Sequence, residues 1–148
     1  MEHNISFPSK AENLTLVEKI IDEICERYKV NEDFYGNILI ALTEAVNNAI
    51  HHGNKSNPNK KVHLTTAYAD GVISFTIEDE GPGFDYNNLP DPTDPRNIEK
   101  PHGRGVFLMK KLSHNIEFLE DGSLIKLDFD INDELELTES GEKNETKS

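Results

Sequence analysis

The sequence predicts a single α/β domain. Stretches with helical periodicity alternate with stretches of strand periodicity, and two pairs of strands are closed by turns carrying Asp-Gly, at Asp70-Gly71 and Asp121-Gly122-Ser123. The chain has 148 residues with 35% apolar and 7% aromatic content, the size of one domain able to bury one core.

Taken in order, His3-Asn4-Ile5-Ser6-Phe7-Pro8 reads as a short edge strand stopped by its proline. Ser9-Lys10-Ala11-Glu12 has the Ser-x-x-Glu form of a capping box, and Leu14, Val17, Ile20, Ile21 and Ile24 follow at helical spacing, so a first amphipathic helix runs to about Tyr28. A second opens at Asn31-Glu32-Asp33, where acidic residues suit the helix dipole, and closes at Gly53. Val62–Ala69 and Val72–Asp79 flank Asp70-Gly71 as an antiparallel pair. From Asp85 to Pro101 the chain is rich in Pro, Asp and Asn. A loop of that length inside a compact domain is usually a lid or binding loop. Val106–Leu112 is a third helix preceded by His102-Gly103-Arg104-Gly105, and Asn115–Glu120 pairs with Leu124–Phe129 as a closing hairpin.

The formal charge of −13 argues against nucleic acid or an anionic membrane as the main partner. Much of it gathers at the end of the chain, and Thr138–Ser148 holds no apolar residue. The expected division is a folded domain over 1–131, with a lid at about 84–102, and an acidic, disordered tail over 132–148. Cys25, the one cysteine, sits on an apolar helical face and reads as a buried thiol. With no signal-peptide pattern and no apolar run long enough to cross a bilayer, a cytoplasmic location is expected.

Three stretches carry chemistry. In Ile73–Asp79 the strand alternation places Ile73, Phe75, Ile77 and Asp79 on one face, so an apolar face ends in a carboxylate. Such a carboxylate needs hydrogen-bond donors, and Gly81 and Gly83 just beyond it admit a flat ligand or another backbone. In the second helix Ile38, Leu42, Ala45 and Ala49 form the core stripe, with Glu44, Asn48 and His52 in a row at its border and Asn47 turned away. A carboxylate and an amide one turn apart can serve one ligand, Asn48 through its oxygen as a hard metal ligand and Glu44 as a proton acceptor. At the third helix, Gly103 and Gly105 leave backbone N–H groups free for an anion, and Arg104 adds a fixed positive charge suited to phosphate.

Together, Glu44-x-x-x-Asn48, Asp79-x-Gly81-x-Gly83, a long lid and Gly103-x-Gly105 before a helix stand in the order and spacing of the GHKL, or Bergerat-type, ATP-binding superfamily of gyrase, histidine kinases and MutL. Within it the chain most resembles the small serine kinases that act as anti-sigma factors, through the run Glu-Ala-Val-Asn-Asn-Ala-Ile-His-His-Gly at 44–53 and His-Gly-Arg-Gly at 102–105. The resemblance covers roughly Ser6 to Phe129. It implies a two-layer α/β sandwich with a mixed, mostly antiparallel sheet covered on one face by helices, and ATP held under the lid rather than on a Walker loop, for which no motif occurs.

It further implies that Asp79 accepts the adenine amino group, with Gly81 and Gly83 packing the base, and that Asn48 binds the Mg2+ that bridges the phosphates. Gly103, Arg104, Gly105 and the N–H groups of Val106 and Phe107 are implied to cradle the phosphates. Ser123 stands where the family has a threonine near the adenine-binding Asp, and Glu44 is implied to be the catalytic base. The activity implied is that of a Mg-ATP-dependent serine protein kinase that binds a sigma factor and phosphorylates a small anti-sigma-factor antagonist. A homodimer is implied, with the N-terminal strand and first helix as docking surface. Two alternatives are a nucleotide-gated binding module without kinase activity, against which Glu44 stands, and a histidine-kinase-like domain acting in trans, for which no phosphoacceptor hairpin is present.

Overall fold

A computed structural model describes residues 2–83 and 103–132. The lid expected over 84–102, and the tail from 133 onward, lie outside the described residues. The elements are β1 (Glu2–Pro8), α1 (Leu14–Arg27), α2 (Glu32–Asn47), β2 (Lys61–Ala69), β3 (Val72–Glu78), α3 (Gly103–Leu112), β4 (Asn115–Leu119) and β5 (Leu124–Asp130). The sheet has five strands in the order β1-β2-β3-β5-β4, so β1 is an edge strand as expected. The α/β sandwich is borne out. All four ladders among the described residues are antiparallel, where the resemblance implied a mixed sheet.

Alternation decides which face of the sheet is buried. Val62 and Leu64 of β2, Ile73, Phe75 and Ile77 of β3, and Ile125, Leu127 and Phe129 of β5 all enter one core, while Ser74 and Asp128 on the other face hydrogen-bond each other at 2.6 Å. The helices fill the same core with Val17, Ile21 and Ile24 from α1, the expected stripe of Ile38, Leu42 and Ala45 from α2 and Ala49 just beyond its end, and Val106 and Met109 from α3. Phe75 and Phe129 meet edge to face at 5.9 Å, a favoured aromatic arrangement. Cys25 is buried there, and burial, followed by the nearby Asp22 charge, pushes its thiol up to about 11. An inert thiol follows.

Three local features differ from expectation. Ser9 does not cap a helix: its Oγ donates to the Lys60 carbonyl at 2.7 Å, a short 3-10 turn intervenes at Ala11–Asn13, and α1 starts at Leu14 without a side-chain cap. The second helix opens where expected, Asn31 capping it with Oδ1 accepting from the Asp33 N–H at 2.7 Å, but it widens into a π-helical segment over Asn48–Gly53. There the Asn54 N–H reaches back five residues to the Ala49 carbonyl at 2.9 Å. Finally, α3 begins at Gly103 rather than Val106, so its glycines lie inside the helix. The Asp70-Gly71 turn is as predicted, with φ of 54° and 82°, the left-handed pair that a two-residue hairpin needs.

Candidate functional site

Asp79 follows the last residue of β3, and its N–H extends the ladder to the Ser123 carbonyl at 2.9 Å. Its half-buried carboxylate accepts the Gly81 N–H on Oδ1 at 2.8 Å. Burial pushes this carboxyl above the ordinary aspartate range; the Gly81 bond opposes the shift, Glu78 adds to it and Lys60 opposes it. Against the carboxylate lies Gly53, at the end of the π segment: a Cβ there would fall on the Asp79 side chain. Gly81 in turn packs on the Gly53 carbonyl, and Gly83, at φ +88°, on the Asp121 backbone. The two glycines after Asp79 therefore serve close approach of backbone to backbone, one of the two uses the sequence allowed.

Asp79 and Asn48 line one narrow cleft together with Ala49, His52, Gly53, Gly83, Gly122 and Ile125. Its free volume is about 10 Å³, so its walls must part to receive a ring. Asn48 is buried, and its Nδ2 has no hydrogen-bond partner among the described residues. An orphaned buried amide is costly, which makes Asn48 a candidate ligand contact. Glu44, half-buried, stands one turn earlier, and α3 closes on both. A Cβ on Gly105 would lie 3.0 Å from Glu44 Oε1 and 3.2 Å from Asn48 Nδ2. Glycine at 105 is what lets the first turn of α3 reach these two side chains.

The remaining expected residues sit unevenly around this centre. Gly103 and Arg104 open α3, with Arg104 exposed. Val106 is buried in the core, and Phe107 is exposed. Among the described residues α3 begins at Gly103, so the N–H of Phe107 falls in its second turn, where N–H groups ordinarily bond within the helix. The Ser123 hydroxyl donates to the Glu120 carbonyl at 2.9 Å rather than to Asp79; it is the Ser123 backbone that meets Asp79. Asn47, half-buried, is absent from the cleft lining, as its helical position predicted. Gly53 and Gly122 were missed as site residues. Gly53 signalled only a helix end and Gly122 only a turn. His52 borders the cleft, where burial, then His51 and Lys55, hold its imidazole below the ordinary range.

A larger cavity of about 670 Å³ lies elsewhere, between α1 and the β1–β2 edge, lined by Ile5, Ile20, Tyr28 and Tyr68 among others. The smaller cleft is the candidate site because the half-buried Asp79 carboxylate, the Asn48 Nδ2 without a partner among the described residues, and the glycine contacts all meet there. Gly53→Ala gives a direct check on its construction. Displacement of the Asp79 carboxylate should weaken any ligand that Asp79 holds by at least about tenfold, measured by calorimetry; unchanged affinity would show that Asp79 and Gly53 do not form one wall.

The profile of the histidine kinase-like ATPase domain family matches residues 7–129. A protein named serine-protein kinase RsbW from Bacillus cereus (strain Q1) is 26% identical over 129 residues, covering 83% of this chain and 80% of that protein. Its namesake from Bacillus anthracis (strain CDC 684 / NRRL 3495) is 24% identical over the same coverage. A crystal structure of the RsbU and RsbW domains of Rv1364c from Mycobacterium tuberculosis superposes with a TM-score of 0.63 at 16% identity, over 87% of this chain and 32% of that one. That similarity bears on the fold, and the chain spans about a third of the superposed protein. No described helix is long and apolar enough to cross a membrane.

Proposed function

The chain belongs to the histidine kinase-like ATPase domain family, and on that premise we propose that it is a Mg-ATP-dependent serine protein kinase of the anti-sigma factor type. The observation that carries this reading is that Asn48 lines the same cleft as Asp79 and, together with Glu44, also meets Gly105 in the first turn of α3. Base recognition and phosphoryl chemistry then have separate, connected places.

Each residue has a physical role in this reading. Asp79 accepts from the adenine amino group with the carboxylate oxygen that Gly81 does not occupy. The first turn of α3, through the N–H groups of Gly103, Arg104 and Gly105 and the Arg104 guanidinium, holds phosphate oxygens. Asn48 presents its amide to the same place and, with Oδ1 turned into the cleft, would serve as a hard oxygen ligand. A bound Mg2+ would supply positive charge that offsets the charge developing on the phosphates. Among the described residues no group of three or more His, Cys, Asp and Glu is placed to hold a metal, so Asn48 is the residue that would hold it. Glu44 takes the proton of the attacking serine hydroxyl. The partners proposed are a sigma factor and the serine-bearing antagonist, in the cytoplasm, with the protein acting as a homodimer. The 24–26% identical relatives named as serine-protein kinases support the reaction class. The edge of β1 and the neighbouring surface of α1 are the proposed docking surface.

Calorimetric titration with ADP and with a non-hydrolysable ATP analogue, with and without magnesium, tests the cleft. Magnesium-dependent binding is expected, and no binding of either nucleotide would end the kinase reading. Asn48→Ala should weaken the ATP analogue about tenfold in magnesium and much less in a chelator. An equal loss in both would show that Asn48 is not the metal ligand.

A further inference from the structure

Asn54, a polar residue just beyond the π segment, is 1% exposed. Its Nδ2 donates to Ser9 Oγ at 2.8 Å and to the Lys61 carbonyl at 2.9 Å, and its Oδ1 accepts the Glu80 N–H at 2.7 Å. One buried side chain thus ties together the connection after β1, the start of β2 and the turn after β3. Its own N–H is bound to the Ala49 carbonyl at 2.9 Å, which fixes it to the π segment.

Two of these ties bracket Asp79. The Glu80 N–H belongs to the peptide that Asp79 itself begins, so fixing that N–H fixes the plane leaving the Asp79 Cα. Gly53, the residue before Asn54, is the one against which the Asp79 carboxylate packs. We propose that Asn54 is a positioning residue for base recognition: it sets both the peptide that follows Asp79 and the glycine wall facing it, and so aims the Asp79 carboxylate. An apolar residue of the same size would fill the space but leave the Glu80 N–H, the Lys61 carbonyl and Ser9 short of partners. The adjacent Glu80 side chain does not substitute, since it is exposed and bonds outward to the Lys61 N–H at 3.1 Å and to His63 at 3.0 Å.

The inference rests on the reading of the cleft as an adenine site, and the test separates the two. Affinities for ADP and for inosine diphosphate are measured on the full chain by calorimetry, well below the melting temperature of each variant. Inosine carries a carbonyl in place of the amino group that Asp79 would accept, so the wild type should prefer ADP. In Asn54→Ala that preference should shrink by about tenfold or more, beyond any loss common to both nucleotides. A purely structural role predicts lower stability with the preference intact, and that result overturns the proposal. Should Asn54→Ala not fold, Asn54→Asp carries the test. It keeps the acceptor for the Glu80 N–H while giving up the Nδ2 donors, so its preference should stay within about threefold of the wild type; collapse of the preference in the folded variant also overturns the proposal. A wild type without preference for ADP would instead overturn the adenine reading, and this inference with it.

Discussion

Asp79→Asn should lower affinity for ADP by roughly 10- to 150-fold, the range that loss of a hydrogen bond to a charged group spans, without lowering the melting temperature. The geometry explains why so conservative a change is expected to be severe. Oδ1 is already occupied by the Gly81 N–H at 2.8 Å, so an asparagine keeps its oxygen there and turns Nδ2 into the cleft. A donor then faces the adenine amino donor. Stability responds in the opposite sense because burial raises the carboxyl's pKa in the fold. A carboxyl that binds its proton more tightly folded than unfolded stabilises the fold below its unfolded pKa, and that contribution is lost as pH rises through the folded pKa. Near neutrality the ionised Asp79 is a burden that asparagine removes. Wild-type ADP affinity should accordingly fall as pH drops through this raised pKa, starting above the pH at which an ordinary aspartate titrates, and the variant should not share that decline. Calorimetry and thermal melts across pH check both arms; unchanged ADP affinity in the variant would remove Asp79 from base recognition.

Glu44→Gln should leave nucleotide binding within a few-fold of the wild type and reduce phosphoryl transfer by about 10²- to 10⁴-fold, the usual contribution of a positioned general base. Glutamine preserves the packing against Gly105, whose Cβ position lies 3.0 Å from Glu44 Oε1, so the change isolates the proton acceptor. The measurement is transfer of labelled phosphate to the serine of the antagonist protein, alongside calorimetry with the ATP analogue. Turnover equal to the wild type would mean that another group, or none, takes the proton.

What was legible in the sequence is what depends on neighbours along the chain. Ile38, Leu42, Ala45 and Ala49 face the core because a helix repeats its faces. Asp79 sits at the end of a buried face because a strand alternates. Residues whose partners lie far along the chain were read wrongly or not at all. Ser9 matched a local capping pattern, yet it is held by Lys60 and Asn54. Gly103 and Gly105 are expected from the sequence just ahead of a third helix that starts at Val106. Contact of Gly105 with Glu44 and Asn48 shows what the earlier start serves. At Ser123 the hydroxyl is taken up locally by the Glu120 carbonyl, while its backbone carbonyl meets the distant Asp79 N–H. Gly53 looked like a stop signal because only the folded chain brings Asp79 against it.

The wide turn over Asn48–Gly53 leaves chain length adjustable inside the site. Asn48 stands at its start, and Gly53 and Asn54 stand at its end. A wide turn holds one residue more than an α turn, so a single-residue deletion between them would let the helix close into ordinary α geometry while the chain beyond kept nearly its place. The exposed His51 lies outside the cleft lining, and its loss is the deletion of this kind that removes no cleft residue. A sequence without it should fold with its helix regular, Gly53 still against the Asp79 carboxylate and Asn54 still in its three bonds, the slack of one turn having taken up the change.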